Sequence, residues 1–111
     1  MTITIKNNKV YNEDGEVAIL YSPGYGAGWY TWNSENKEIL TNPQLVQMVL
    51  NDERSKITDS FMQKLLNTKS FYSGGARDLQ VEWMTEGQHF RIEEYDGSER
   101  ILYKDDISLV A

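Results

Sequence analysis

The chain has 111 residues, 40% hydrophobic and 25% charged, with a formal net charge of −6. That length is enough for one domain, residues 1–111, with its own hydrophobic core. The absence of cysteine excludes a disulfide framework, a thiolate nucleophile and a cysteine-type zinc site.

The negative balance argues against direct nucleic-acid binding, which takes clustered Lys and Arg on phosphate backbones. It leaves room for a local basic pocket, and equally for an acidic surface that imitates nucleic acid; its ordinary consequence is solubility. No apolar run approaches the roughly 18 residues of a membrane span. Met1-Thr2-Ile3-Thr4-Ile5-Lys6 alternates and does not form the apolar segment of a signal peptide. The expectation is a cytoplasmic protein without a membrane partner.

Residues 2–6 read as a short strand with Ile3 and Ile5 on one face. Asn7-Asn8 turns the chain back through Lys9-Val10-Tyr11, and Asn12-Glu13-Asp14-Gly15 is a tight-turn signal because Asp-Gly suits positive φ. Val17-Ala18-Ile19-Leu20-Tyr21 is a nearly continuous apolar run, the pattern of a strand buried on both faces. Asn42-Pro43 matches a helix N-cap followed by proline at the first helical position. Leu45, Met48, Val49 and Asp52 then mark one helical face. A second helix begins near Thr58 or Asp59, turns Phe61, Met62, Leu65 and Leu66 inward and fades at Asn67-Thr68-Lys69.

The last third predicts an antiparallel meander. Leu79, Val81 and Trp83 alternate with Gln80 and Glu82, and Thr85-Glu86-Gly87 turns. Phe90, Ile92 and Glu94 alternate with His89, Arg91 and Glu93, followed by a Tyr95-Asp96-Gly97-Ser98 hairpin turn and the return Ile101-Leu102-Tyr103. A short strand or extended tail covers Ile107 to Val110. The order β-β-α-α-β-β-β predicts an α+β domain, a mostly antiparallel sheet with two helices packed on one side.

One stretch stands out. Tyr21-Ser22-Pro23-Gly24-Tyr25-Gly26-Ala27-Gly28-Trp29-Tyr30-Thr31-Trp32 combines glycines with flat rings at the end of the central strand. Loops held by a rigid strand commonly carry function, and aromatic rings offer apolar faces with polar tips. A second glycine loop, Ser73-Gly74-Gly75-Ala76-Arg77-Asp78, enters the next strand. Its amides suit an anion-binding nest, and Arg77 suits a bidentate grip on phosphate or carboxylate. The opposing reading has Gly74-Gly75 ending a helical segment, Arg77 paired with Asp78, and Trp29 and Trp32 folded into the core.

Neither loop is a phosphate loop, because no Gly-Lys pair exists. Gly24-x-Gly26-x-Gly28 is not the dinucleotide fingerprint either. No cofactor is expected. His89 is the sole histidine; Glu86 or Glu93 would have to orient it, and Ser22 or Ser73 would have to lie within its reach, for acid–base or nucleophilic chemistry. Ser22 is not in a Gly-x-Ser-x-Gly elbow, so His89 reads as a solvated residue at a strand edge. Glu93, Glu94, Asp96 and Glu99, with Asp105-Asp106 beyond, lack the spacing of a Ca²⁺ loop. They read as a solvated edge that discourages aggregation, with Arg91 and Arg100 pairing across the hairpin or lining an anion pocket.

At Tyr21-Ser22-Pro23-Gly24-Tyr25-Gly26-Ala27-Gly28-Trp29 and at Phe90-Arg91-Ile92-Glu93-Glu94-Tyr95-Asp96-Gly97-Ser98-Glu99 the chain resembles a family of small, mostly uncharacterised bacteriophage and prophage proteins. The resemblance implies a phage accessory protein acting inside a bacterium, of the kind that antagonises host defence.

Two functional expectations follow. In the first, a noncatalytic binder sequesters a nucleotide-like immune signal. Tyr25, Trp29 and Trp32 stack on the base, amides near Gly26, Gly28, Gly74 and Gly75 meet phosphates, and Arg77 or Arg91 neutralises charge. Such a site is open to completion at the boundary of a homo-oligomer. In the second, an acidic protein with exposed Trp and Tyr anchors inhibits a host defence protein or a nucleic-acid-binding protein.

Overall fold

The structure is a computed structural model that describes residues 2–103 and 109–111. Ile107 and Ser108 of the expected last strand, and the acidic pair Asp105-Asp106, lie outside the described residues.

Two hairpins open the chain's two sheets in the same way. β1 (Thr4–Lys6) and β2 (Lys9–Tyr11) are joined by Asn7 and Asn8, at φ 53° and 59°. β5 (His89–Tyr95) and β6 (Ser98–Tyr103) are joined by Asp96 and Gly97, at φ 53° and 83°. Two consecutive left-handed residues match the right-handed twist of antiparallel strands, so Asn and Asp-Gly are the residues such turns select. β3 (Val17–Tyr21) pairs with β2 on one side and with β4 (Gln80–Met84) on the other, giving the order β1-β2-β3-β4. The remaining strands form a second sheet, β6-β5-β7, with β7 at Leu109–Val110. All the pairings are antiparallel.

The fold is therefore α+β, as its element order predicts, but its strands divide into two sheets instead of one. β3 shows why. Val17 to Leu20 are all fully buried. Ala18 and Leu20 point to a cluster with Leu45, Val46, Met48 and Val49 of α1 (Pro43–Leu50) and Met62 of α2 (Asp59–Leu66). Val17 and Ile19 point the opposite way, to Phe90, Ile92 and Leu109 of the second sheet. With period-two alternation, a strand apolar on both faces needs cover on both. Helices supply one cover and the three-stranded sheet the other.

The helices start where the sequence places them. Asn42 Oδ1 accepts from the amides of Gln44 (2.9 Å) and Leu45 (3.2 Å), and Thr58 Oγ1 accepts from Phe61 N–H (3.1 Å), each filling donors that a helix leaves open at its first turn. Asn67 closes α2 in the left-handed conformation. α1 ends at Leu50, and Asp52 lies beyond it with positive φ, so the fourth member of its expected face is outside the helix. No helix among the described residues is long and apolar enough to cross a membrane.

His89 is not at a sheet edge. β5 is the middle strand of its sheet, so His89 opposes Val110, and its Nδ1 is buried without a hydrogen-bond partner among the described residues.

Candidate functional site

The glycine-aromatic loop runs from the end of β3 without regular secondary structure until the short 3-10 turn Lys37–Leu40. Backbone polar groups in such a segment must find partners elsewhere. A single side chain supplies many of them. Glu99, only 1% exposed, accepts from Ser22 N–H at 2.9 Å through Oε1. Through Oε2 it accepts from Trp29 N–H and Thr31 N–H, each at 2.8 Å, and from the Thr31 hydroxyl at 2.7 Å. Its own amide donates to Ser22 O at 2.7 Å. A buried carboxylate is tolerated when it is saturated with donors, and bonds to an ionised acceptor are the strong ones.

Glu99 is thus not part of a solvated acidic edge, as its sequence neighbours suggest. In the β5–β6 register Glu94 opposes Glu99 and Ile92 opposes Ile101, so Glu99 lies on the inward face with Ile92 and Ile101. Glu93, Glu94 and Asp96 lie nearer the surface. Among the described residues no three His, Asp or Glu side chains converge on a metal site.

The same loop is clamped from two further sides. Gly26 N–H donates to Asp96 O at 2.8 Å, and a Cβ on Gly97 would collide with the backbone of Gly26 and Ala27, so the β5–β6 turn sits directly against the loop. Ser98 Oγ donates to Pro23 O at 2.7 Å. On the other side a Cβ on Gly75 would lie 2.5 Å from Gly28 O, and Ser22 Oγ donates to Gly75 O at 2.8 Å. The two glycine loops do meet. They meet backbone against backbone, Gly75 lying against Ala27 and Gly28.

The rings divide sharply. Trp29 is fully buried, donates from Nε1 to Ile39 O at 3.0 Å and packs edge-on against Phe71 with centroids 5.3 Å apart. It is a core residue and presents no face for stacking; its expected role falls to the apolar cover of β3. Trp32 is 45% exposed and stacks on Tyr72, 50% exposed, at 5.6 Å and 27°. The Trp32 ring lies over Gly28 and the Tyr72 ring over Gly74, so close that a Cβ at either glycine would displace the ring. Asn33 ties the two ring-bearing segments together. Its Nδ2 donates to Trp29 O (2.8 Å) and Tyr72 O (3.0 Å), and its Oδ1 accepts from Tyr72 N–H (3.1 Å).

Tyr25, 71% exposed, and Tyr95, 77% exposed, both line an open recess of about 490 Å³, together with Glu93, Glu94, Ser98 and Arg100. Of the expected cations, Arg77 is exposed and lies 3.8 Å from Asp78, while Arg91 lies 3.8 Å from Glu93. Neither lines that recess. The serines once paired with His89 have other partners: Ser22 is buried on Gly75 O, and Ser73 donates from N–H and Oγ to Asp59, each at 2.7 Å. Those two bonds hold the Asp59 carboxyl below its usual range. Glu86 accepts from Tyr11 hydroxyl at 2.6 Å, which together with burial pushes that phenol up.

Sequence reasoning identified Tyr25 and Trp32 but missed Tyr72, Tyr95, Asn33 and the role of Glu99. A signal for Glu99 was present: the returning strand begins at Ser98 and not at Ile101, which puts Glu99 two residues before Ile101 on the same face, where an acid needs donors.

No family model matches this chain, and no curated protein and no solved structure matches it.

Proposed function

We propose that this protein is a noncatalytic binding module that works by occupying a partner protein, with the exposed rings of Tyr25, Trp32, Tyr72 and Tyr95 as its anchors. The observation that carries this reading is the placement of Glu99. Its carboxylate takes the loop amides at Ser22, Trp29 and Thr31, so the loop is fixed in shape while those amides are withheld from any external anion. What remains on offer is aromatic surface on a stiff backbone, the composition of interface anchors, with little ordering left to do on association. The net charge of −6 favours a basic partner through complementary steering. The resemblance to phage accessory proteins supplies a setting, a host defence protein or a nucleic-acid-binding protein held by an acidic inhibitor.

The test is capture from bacterial lysate, comparing wild type with the Trp32→Ala/Tyr72→Ala double variant. A stoichiometric protein retained by wild type and released by the folded variant supports the reading. Equal retention, or none, overturns it.

A second reading keeps the sequestration of a nucleotide-like small molecule. It is favoured by the Trp32–Tyr72 stack, a ready platform for a base worth about 1–3 kcal/mol by analogy with single-strand binders, and by the exposed guanidinium of Arg77 in the neighbouring loop. Calorimetric titration with cyclic and ADP-ribose-type nucleotides decides it, since absence of heat across the panel removes it.

A further inference from the structure

The four-stranded sheet ends at β1, a strand exposed along its whole length. Only Asn7 and Asn8 separate Lys6 from Lys9, so these two lysines form the hydrogen-bonded pair that closes a two-residue hairpin. Hydrogen-bonded and non-bonded pairs alternate along an antiparallel ladder. Thr4 therefore bonds to Tyr11, and the N–H and C=O of Ile5 point away from β2. Continuing the alternation, so do those of Ile3. No described strand lies on that side.

The side chains along this edge are apolar on one face. Ile5 opposes Val10, which is buried in the cluster beneath the helices, and Ile3 packs on the same cluster. Both isoleucines thus lie on the face that carries α1, yet Ile5 is 49% exposed and Leu50, at the end of α1, is 37% exposed. Beside Ile3 is a recess of about 280 Å³ lined also by Gln47, Leu50 and Asn51. Edges guarded against pairing carry a charge, a proline or a bulge. The sheet's other edge, β4, has Glu82 at the middle of Gln80–Met84. The sole charge on β1 is Lys6, at its hairpin end.

We infer that β1 is a docking edge for a second copy of this chain, the two β1 strands pairing antiparallel about a two-fold axis at Thr4. That register is self-complementary, as a two-fold interface requires. Ile3 opposes Ile5 of the second copy, and Ile5 opposes Ile3 of the second copy, so their outward N–H and C=O groups satisfy one another. Thr4 meets Thr4 of the second copy at a non-hydrogen-bonded position, where cross-strand side chains approach most closely. Opposing residues share a face, so Ile5 of the second copy enters the recess beside Ile3 and Leu50. Lys6 of the second copy opposes Thr2, whose N–H is held by Glu13 at 3.3 Å, so the strand's one cation arrives beside an acidic neighbour. Centring the pairing on Ile5 would instead set Ile3 against Asn7, whose φ of 53° takes it out of the extended chain. The dimer doubles the aromatic anchors on each particle, but its formation does not depend on what those anchors bind.

The test is sedimentation equilibrium of the purified protein. An interface of two short strands is small, so the mass should rise from one copy toward two between about 10 µM and 1 mM. Ile5→Pro removes an outward N–H that β2 does not use, a position where an edge strand tolerates proline. It should keep the wild-type amide spectrum at low concentration and lose the association. Trp32→Ala/Tyr72→Ala should associate as wild type does. Because the chain has no cysteine, register can be read by cross-linking: under mild oxidation Thr4→Cys should form a covalent dimer much faster than Lys6→Cys, since only position 4 meets itself across the axis. A chain that stays monomeric to 1 mM overturns the inference, as does a dimer that survives in folded Ile5→Pro or equal cross-linking at positions 4 and 6. Association lost in Trp32→Ala/Tyr72→Ala and kept in Ile5→Pro overturns it too, by placing the contact at the rings. None of these outcomes touches capture of a partner from lysate, so the two readings stand or fall separately.

Discussion

Trp29 and Trp32 stand three residues apart in one loop and occupy opposite worlds. The first is sealed under Ile39 and Phe71; the second rests on the surface against Tyr72. The inner half of the loop holds the molecule together, and the outer half is free to meet something else. The difference is set by the backbone between them. Glu99 gathers the amides of Trp29 and Thr31 onto one oxygen, which turns the chain between the buried and the exposed indole. Composition alone does not separate the two indoles, whereas hydrogen-bond bookkeeping does.

The sharpest way to break the comparison is to truncate each indole. Trp29→Ala removes a fully buried ring and should lower unfolding free energy by about 3–5 kcal/mol, read by urea denaturation. Next comes Glu99→Gln. The amide keeps one acceptor but turns an N–H₂ toward a backbone donor, so a loss of about 3 kcal/mol is expected, with faster hydrogen exchange at Ser22, Trp29 and Thr31. Gly75→Ala drives a methyl group to 2.5 Å from Gly28 O, against the backbone of Ala27 and Gly28, with no flexible side chain to yield. That overpacking should cost about 2 kcal/mol and disturb both glycine loops in an amide spectrum. Trp32→Ala should cost below about 1 kcal/mol, the range of one exposed aromatic pair, while abolishing capture of a partner. A loss as large as that of Trp29→Ala would erase the distinction between the halves.

The smallest effect concerns Tyr103. Its ring is half exposed, but partial desolvation, with the hydrogen bond to Glu82 and the neighbouring negative charge, pushes its phenol up to about 12 from 10.0. The folded protein holds this proton more tightly than the unfolded chain. Its contribution is complete below pH 10 and is lost as pH rises from about 10 to about 12. Tyr103→Phe should flatten that alkaline limb of the stability curve.

What the sequence made legible was local. Asn7-Asn8 and Asp96-Gly97 announce tight turns because each carries its own backbone preference, and Asn42 and Thr58 announce helix starts because each caps amides two or three positions on. The doubly buried β3 was readable from its unbroken apolar run. The split into two sheets was not, because strand order depends on which face of β3 each later strand covers. The site was half legible: Tyr25 and Trp32 are exposed rings as expected, but Trp29 is core, and in the first glycine loop the Gly26 amide serves Asp96 and the Trp29 amide serves Glu99. The acceptor on Glu99 lies 68 to 77 residues from its donors, a distance at which neither spacing nor periodicity carries information.

That separation has a practical consequence. Residues 22–33 contain no helix or strand of their own, and the anchor that shapes them arrives from the far end of the chain. A synthetic peptide copying this stretch, or the stretch transplanted into a foreign scaffold, would carry every ring and lose the arrangement. Any useful mimic has to import the carboxylate along with the loop.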